Sequence, residues 1–109
     1  MNREIFYQNQ IKKFIKDKNS KILVLGAGSL DKRIFDNLNF KNVTFTNIEN
    51  TNEKNLDIFE NIHNINIKDE QYDYCVAHAC IHHSSKPHSA ILELYRVSIK
   101  GALIIEATD

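Results

Sequence analysis

Two glycines and one acid in the first half of this 109-residue chain are the residues best suited to holding a ligand. Gly26 and Gly28 directly follow the apolar run 22–25, and a helix is predicted to begin near Ser29. Because glycine has no Cβ, a ligand can lie against the main chain of such a turn, while the helix start directs N–H groups and partial positive charge at it. Glu49 follows Gly28 by about 20 residues, where α/β nucleotide folds use an acid to bind ribose hydroxyls. The pattern favours a ribose-bearing ligand with an anionic or polar group at the turn.

Each feature also has a simpler explanation. A glycine-containing turn between a strand and a helix can serve packing alone, and Glu49 can be a solvated carboxylate at the start of a loop. Asp31 stands where a dinucleotide fingerprint has its third glycine. Its size and negative charge near the pyrophosphate position argue against a nicotinamide or flavin cofactor.

Cysteines and histidines are concentrated within residues 75–83, as Cys75, His78, Cys80, His82 and His83. Zinc selects such ligands, but Cys75 lies inside a predicted buried strand and no second ligand pair follows at the spacing of structural zinc sites, so no metal site is predicted. An imidazole titrates near neutrality, which makes His82 and His83 the candidate catalytic bases. The alternative for both is a loop histidine that caps a helix or packs against the sheet.

Helices and strands alternate along the chain in a pattern that would position these residues. Helices are predicted over 3–17, 29–39, 51–59 and 85–98, and strands over 22–25, 43–48, 62–67, 72–77 and 102–106. The connections are long enough for parallel crossovers through helices, and the continuously apolar strands suit a sheet covered on both faces. Apolar residues at helical spacing in the first and last helices predict core positions: Ile5, Ile11, Phe14, Ile15, Ile91, Leu92, Tyr95 and Ile99.

The second half of the chain resembles the class I S-adenosylmethionine-dependent methyltransferases, particularly the type 11 subgroup. The resemblance rests on Tyr72 and Asp73 entering the fourth strand, the His82-His83 pair after it, Pro87 leading into a helix, and Lys100 and Gly101 before an apolar strand. Together with the turn GAGSLD and Glu49, it covers residues 21–109. The resemblance implies an α/β, Rossmann-like doubly wound parallel sheet of order 3-2-1-4-5 with helices on both faces, and S-adenosylmethionine as the cofactor.

Roles for individual residues follow from the same resemblance. Gly26, Ala27 and Gly28 would pack on the methionine moiety of the cofactor, Glu49 would bind the ribose, Asn61 and Ile62 would contact the adenine, and His78 would approach the amino acid end. Two positions depart from the family pattern. Leu30 stands where the family often has a glycine, and Asn61 stands where it usually has an acid.

Residues 1–109 are predicted to form a single S-adenosylmethionine-binding methyltransferase core domain that lacks the final antiparallel hairpin of the family. The last strand would then expose an apolar edge, a feature that natural proteins cover or pair. We therefore expect that copies of the chain associate as a homo-oligomer through this edge, or that the sequence is a truncated form of a longer enzyme.

Composition restricts the partners. Fourteen basic and fourteen acidic side chains give no net charge, and no basic run is present, which argues against a nucleic-acid substrate. The absence of an apolar span, of a leader and of a disulfide framework predicts a cytoplasmic protein without membrane contact.

The predicted function is methyl transfer to a small-molecule or saccharide acceptor. The alternatives are a non-catalytic relic that binds cofactor or a partner protein, and a nucleotide-dependent oxidoreductase, which Asp31 disfavours.

Overall fold

A computed structural model describes residues 3–25, 28–47, 58–59, 70–78 and 87–105 of the chain. Within these residues the elements are α1 (Arg3–Phe14), β1 (Ile22–Leu25), α2 (Ser29–Asn37), β2 (Val43–Asn47), β3 (Ile58–Phe59), β4 (Tyr72–His78), α3 (Pro87–Val97) and β5 (Ser98–Ile105). The helices and strands expected around the glycine turn and in the last third of the chain are present, with ends that differ by a few residues.

The strands form one sheet in the order β3-β2-β1-β4-β5, and every pairing between them is parallel. This confirms the α/β class and the doubly wound arrangement, with β1 at the centre. The third strand differs from the expectation, because it consists of Ile58–Phe59, which were predicted to end a helix. Isoleucine and phenylalanine favour strands, and a short apolar run does not separate helix from strand by its periodicity. The segment 62–67, predicted to be this strand, lies outside the described residues.

Helices cover both faces of the sheet. On one face α1 and α2 pack against β1 and β4 through a cluster that includes Tyr7, Ile11, Val24, Phe35 and Val76. On the other face α3 packs against the same strands through Leu23, Cys75, Ala77, Leu94 and Val97. The continuously buried pattern of β1 results from this double cover, since all four of its side chains enter one of the two clusters.

Part of the predicted core is wrong. Ile11 and Ile15 are buried as expected, but Ile5 is 54% exposed and Phe14 is 37% exposed, with the Phe14 ring packed edge-on against Tyr74. At the other end of the chain the buried face of α3 carries Ala90, Leu94 and Val97, whereas Leu92, Tyr95 and Ile99 are each more than half exposed. A helix turns through 100° per residue, so Leu92 and Tyr95 point away from the face that holds Leu94.

Strand β5 begins at Ser98, directly after the last residue of α3 and earlier than predicted. Its register with β4 shifts between Tyr72 and Tyr74, and Gly101, the partner of Tyr74, has a φ of 153°. Such a backbone conformation is open to glycine and strained for other residues, so Gly101 permits the irregularity. In the part of the chain that the structure describes, no helix has the length and apolar character needed to cross a membrane.

Candidate functional site

The site predicted from the glycine turn lies at the carboxyl ends of β1 and β4. The two strands pair in parallel up to Leu25 and Ala77, so their carboxyl ends lie at the same end of the sheet. From β1 the chain passes to β2 on one side, and β4 lies on the other. Open α/β sheets bind their ligands at this position, in the crevice where the order of the strands reverses.

Gly28 is the N-cap residue of α2 and borders this crevice. Its φ of −134° and ψ of −169° are extended backbone angles that any residue adopts. A Cβ added to Gly28 would meet no atom within 4 Å among the described residues beyond its chain neighbours. Nothing in the described part of the fold requires glycine at this position, and the described residues leave room beside its main chain. This room fits the predicted approach of a ligand to the turn.

Asp31, in the first turn of α2, holds the main chain of Gly28. Its Oδ2 accepts a hydrogen bond from the Gly28 N–H at 2.8 Å, and its Oδ1 accepts one from the Tyr7 hydroxyl at 2.7 Å. The prediction that the helix start offers free N–H groups is thus wrong at Gly28, because Asp31 already accepts from this amide. The carboxylate also lies at the positive end of the α2 dipole, which stabilises its charge.

His78, the last residue of β4, lies beside the same carboxylate. Its Nδ1 is 3.6 Å from Asp31 Oδ1, and its ring packs on the Tyr7 ring with centroids 4.0 Å apart and planes inclined by 31°. Tyr7 in turn packs edge-on against Phe35, with ring centroids 6.3 Å apart. The His78 side chain is only 15% exposed, so most of its imidazole surface is in contact with protein.

The neighbouring strand β2 ends near the same edge. It pairs with β1 as far as Val24 and Phe45, and on its other side Thr46 and Asn47 pair with β3. The buried Thr46 hydroxyl donates to the Val24 carbonyl at 3.0 Å, so this side chain connects β2 to β1 one residue beyond the last pair. The chain leaves β2 after Asn47, two residues before Glu49.

Two predicted site residues, Gly28 and His78, are described, and both lie at the crevice with Asp31 between them. The remaining predicted residues lie outside the described residues: Gly26, Ala27, Glu49, Asn61, Ile62, His82 and His83. Cys75 packs on the α3 face of the sheet, whereas His78 contacts Tyr7 on the α1 face, so these two residues do not share a ligand. Burial raises the pKa of the Cys75 thiol from 9.0 to about 12, which makes it an unreactive core residue.

Tyr7 and the structural role of Asp31 were missed from the sequence. A local signal for Asp31 exists, because an acid three residues after an N-cap is the pattern in which a side chain accepts from the N-cap amide. Tyr7 also shares helical spacing with Ile11 and Ile15 and so belongs to the buried face of α1. No local pattern indicates its contact with Asp31, which lies 24 positions further along the chain.

The sequence model of a family described as "Methyltransferase domain", type 11, matches residues 26–105, starting at the glycine turn and covering most of the chain. The members of this family use S-adenosylmethionine, which is the cofactor expected of the domain. No curated protein sequence matches the chain.

Several solved structures share the fold. A protein described as a methyltransferase of an antibiotic biosynthesis pathway in Anabaena variabilis superposes with a TM-score of 0.71 at 19% identity, over 92% of this chain and 44% of that one. A protein of Bacillus halodurans described as a methyltransferase gives 0.68 at 16% identity, over 93% and 51%. A protein of Thermotoga maritima described as a SAM-dependent methyltransferase gives 0.65 at 17% identity, over 93% and 49%. The chain thus spans about half the length of these structures.

Proposed function

This chain belongs to the type 11 methyltransferase domain family, and we propose that it binds S-adenosylmethionine in the crevice between β1 and β4 and transfers the methyl group to a small-molecule or saccharide hydroxyl. The observation that carries the proposal is the family match, which begins at the glycine turn itself. No atom of the residues that the structure describes fills the space beside Gly28, which suits a cofactor that approaches the main chain closely there.

Residues at the carboxyl ends of the strands bind the cofactor. Gly26, Ala27 and Gly28 hold the methionine moiety through their main chain, and Glu49 binds the ribose hydroxyls. In the sequence Glu49 follows the last residue of β2 by two positions, and β2 is the strand next to β1. Asn61 and Ile62 contact the adenine, and His78 borders the amino acid end.

The charge at the turn favours this cofactor over a dinucleotide. Asp31 places a buried carboxylate at the start of α2, where a pyrophosphate would otherwise bind. A carboxylate at this position repels the negative charges of a pyrophosphate. The methionine moiety of S-adenosylmethionine carries an ammonium and a sulfonium beside its carboxylate, so its net charge is positive and the Asp31 carboxylate does not repel it as it would repel a pyrophosphate.

S-adenosylmethionine supplies an electrophilic methyl group on a sulfonium sulfur. The protein aligns the acceptor oxygen with the methyl carbon and accepts the hydroxyl proton on His82 or His83 as the new O–C bond forms. The methyl–sulfur bond breaks, its electron pair stays on the sulfur, and S-adenosylhomocysteine leaves.

Calorimetric titration of the chain with S-adenosylmethionine, S-adenosylhomocysteine and NAD tests the cofactor. We expect binding of the first two, lost or strongly weakened in Glu49→Ala and unchanged in Asp36→Ala, which removes an exposed acid of α2. Asp31→Asn should improve the affinity for NAD by removing the repulsion. Binding of none of the three ligands would instead support the non-catalytic relic, and a preference for NAD would support the oxidoreductase.

His82→Gln and His83→Gln test the base. With a panel of small hydroxyl acceptors and saccharides, at least one of the two variants should form S-adenosylhomocysteine more slowly than the wild type does. Its affinity for S-adenosylhomocysteine should equal that of the wild type. His88→Gln is the matched control, because His88 is an exposed residue of α3. Unchanged turnover in both variants would remove the histidines from the reaction.

The outer edge of the sheet, which is formed by strand β5, is the proposed contact between copies of the chain. Strand β5 pairs only with β4 among the described strands, and Ile99 near its start is 58% exposed. A lysine at such an edge opposes further strand pairing. Light scattering should therefore show a dimer that Ile99→Lys converts to a monomer, and a monomeric wild type would contradict the proposal. We also propose a cytoplasmic location, which suits the buried free thiol of Cys75.

A further inference from the structure

Two consecutive hydrogen bonds connect helix α1 to the glycine turn. The Tyr7 hydroxyl donates to Asp31 Oδ1 at 2.7 Å, and the Gly28 N–H donates to Asp31 Oδ2 at 2.8 Å. Both oxygens of one carboxylate are thereby used, one toward α1 and the other toward the turn. Tyr7 of α1 is therefore connected to the main chain of Gly28 through the side chain of Asp31.

This arrangement is not needed to fill the core. Tyr7 is fully buried and Asp31 is 5% exposed, and burying a carboxylate is unfavourable unless hydrogen bonds compensate for the lost water. Apolar residues of similar size could pack here without that cost. The polar pair supplies an acceptor for the Gly28 amide, which caps the start of α2 and also fixes the position of that amide.

We infer that Tyr7 and Asp31 are positioning residues that set the glycine turn for the cofactor. The inference rests on the proposed function, because it concerns the same crevice. A peptide group is planar, so holding the Gly28 N–H fixes the plane of that whole group. A turn already held in its binding conformation does not have to be ordered when the ligand arrives, which raises affinity. The Tyr7 ring is itself held between His78 and Phe35, so its hydroxyl has a fixed direction.

Three substitutions distinguish the positioning role of Tyr7 and Asp31 from a role in core packing and from an effect of charge. Tyr7→Phe keeps the ring and removes only the hydroxyl, and Asp31→Ala removes both acceptor oxygens. Asp31→Asn keeps the geometry, because its amide oxygen can accept from the Gly28 N–H while its amino group donates to the Tyr7 oxygen. Tyr95→Phe is the matched control, since Tyr95 is 58% exposed on α3.

The affinities for S-adenosylmethionine and S-adenosylhomocysteine, measured by calorimetry, give the main result. Tyr7→Phe should weaken both ligands by about 10- to 100-fold and by the same factor, because it keeps the Asp31 charge and Tyr7 does not touch the methyl group. Asp31→Ala should weaken both ligands at least as much, because it removes both acceptor oxygens. Asp31→Asn should weaken binding less than Asp31→Ala does, because it keeps both hydrogen bonds and loses only the charge, and Tyr95→Phe should equal the wild type. The double variant Tyr7→Phe/Asp31→Ala should bind no more weakly than Asp31→Ala, because the two residues act through one path.

The amide resonance of Gly28 in a nitrogen–proton correlation spectrum gives a second result without ligand. It should move in Tyr7→Phe and in Asp31→Ala and stay in place in Tyr95→Phe. A loss confined to S-adenosylmethionine, or additive losses in the double variant, would overturn the inference. A wild type that binds neither ligand would remove the proposed function and this inference together. Normal wild-type binding with equally strong binding by Tyr7→Phe and Asp31→Ala would refute the inference alone.

Discussion

Replacing each of the two described glycines with alanine distinguishes a glycine used for the ligand from one used for the fold. Gly28 has extended backbone angles, and no described atom outside its chain neighbours lies within 4 Å of the position that a Cβ would take. Gly101 has a φ of +153°, and a Cβ there would lie 3.4 Å from Phe14 Cζ. Gly28→Ala should therefore reduce ligand binding and leave stability unchanged, and Gly101→Ala should do the reverse.

The size of each effect follows from these geometries. At Gly28, alanine is a poorer N-cap residue than glycine, but it also stabilises by restricting the unfolded chain, by about 0.4–1 kcal/mol. The two effects nearly cancel, so the melting temperature should change by less than about 4 °C. A ligand atom in contact with the Gly28 Cα would have to move when a Cβ appears, which costs about 1–3 kcal/mol, or roughly 5- to 150-fold in affinity.

At Gly101 the strained backbone should cost about 1–3 kcal/mol of stability. The melting temperature should then fall by at least about 4 °C. The affinity for S-adenosylhomocysteine should stay at the wild-type value, because Gly101 pairs with Tyr74 near the start of β4, away from the crevice.

Circular dichroism melts and calorimetric titration with S-adenosylhomocysteine measure both quantities on the same samples. Wild-type affinity in Gly28→Ala would show that the cofactor does not use the space beside this residue. A stability loss in Gly28→Ala as large as that in Gly101→Ala would show that the fold itself requires the glycine.

Three further predictions concern the core. Because burial raises the pKa of Cys75 from 9.0 in the unfolded chain to about 12, its contribution to stability is complete below pH 9 and is lost between pH 9 and pH 12, at up to about 1.4 kcal/mol per pH unit. Urea unfolding at pH 8 and pH 10.5 should show this loss in the wild type and a smaller one in Cys75→Ala. Thr46→Val should lower the free energy of unfolding by about 1 kcal/mol, because the Val24 carbonyl loses its hydroxyl donor. Leu94→Ala should cost about 2–5 kcal/mol, and the exposed Leu92→Ala less than about 0.5 kcal/mol, in the same urea assay.

Each of these has a result that would contradict it. An equal pH dependence in Cys75→Ala and the wild type would mean that the thiol does not titrate differently on unfolding. A Thr46→Val chain as stable as the wild type would mean that the Val24 carbonyl finds another donor. Equal costs at Leu92 and Leu94 would contradict the assignment of the buried face of α3.

The parallel sheet could be predicted because its central strands carry a local signal. Strands β1, β2 and β4 are runs rich in branched or aromatic residues, and β1 is apolar and buried throughout, which suits a strand covered on both faces. Strand β3 could not be recognised, because two residues provide no periodicity and their pairing depends on the position of β2. The exposure of Leu92 and Tyr95 was mispredicted for a related reason, since more than one face of α3 carries apolar residues.

The glycine turn and the acid three residues after Gly28 can be found in the sequence, because both depend on residues close together in the chain. The role of Tyr7 cannot be found in this way. Its hydroxyl reaches Asp31 only because α1 packs beside α2 on one face of the sheet and β4 brings His78 to the same point. Short-range backbone preferences therefore locate the turn, and the packing of distant elements selects the side chains that hold it in place.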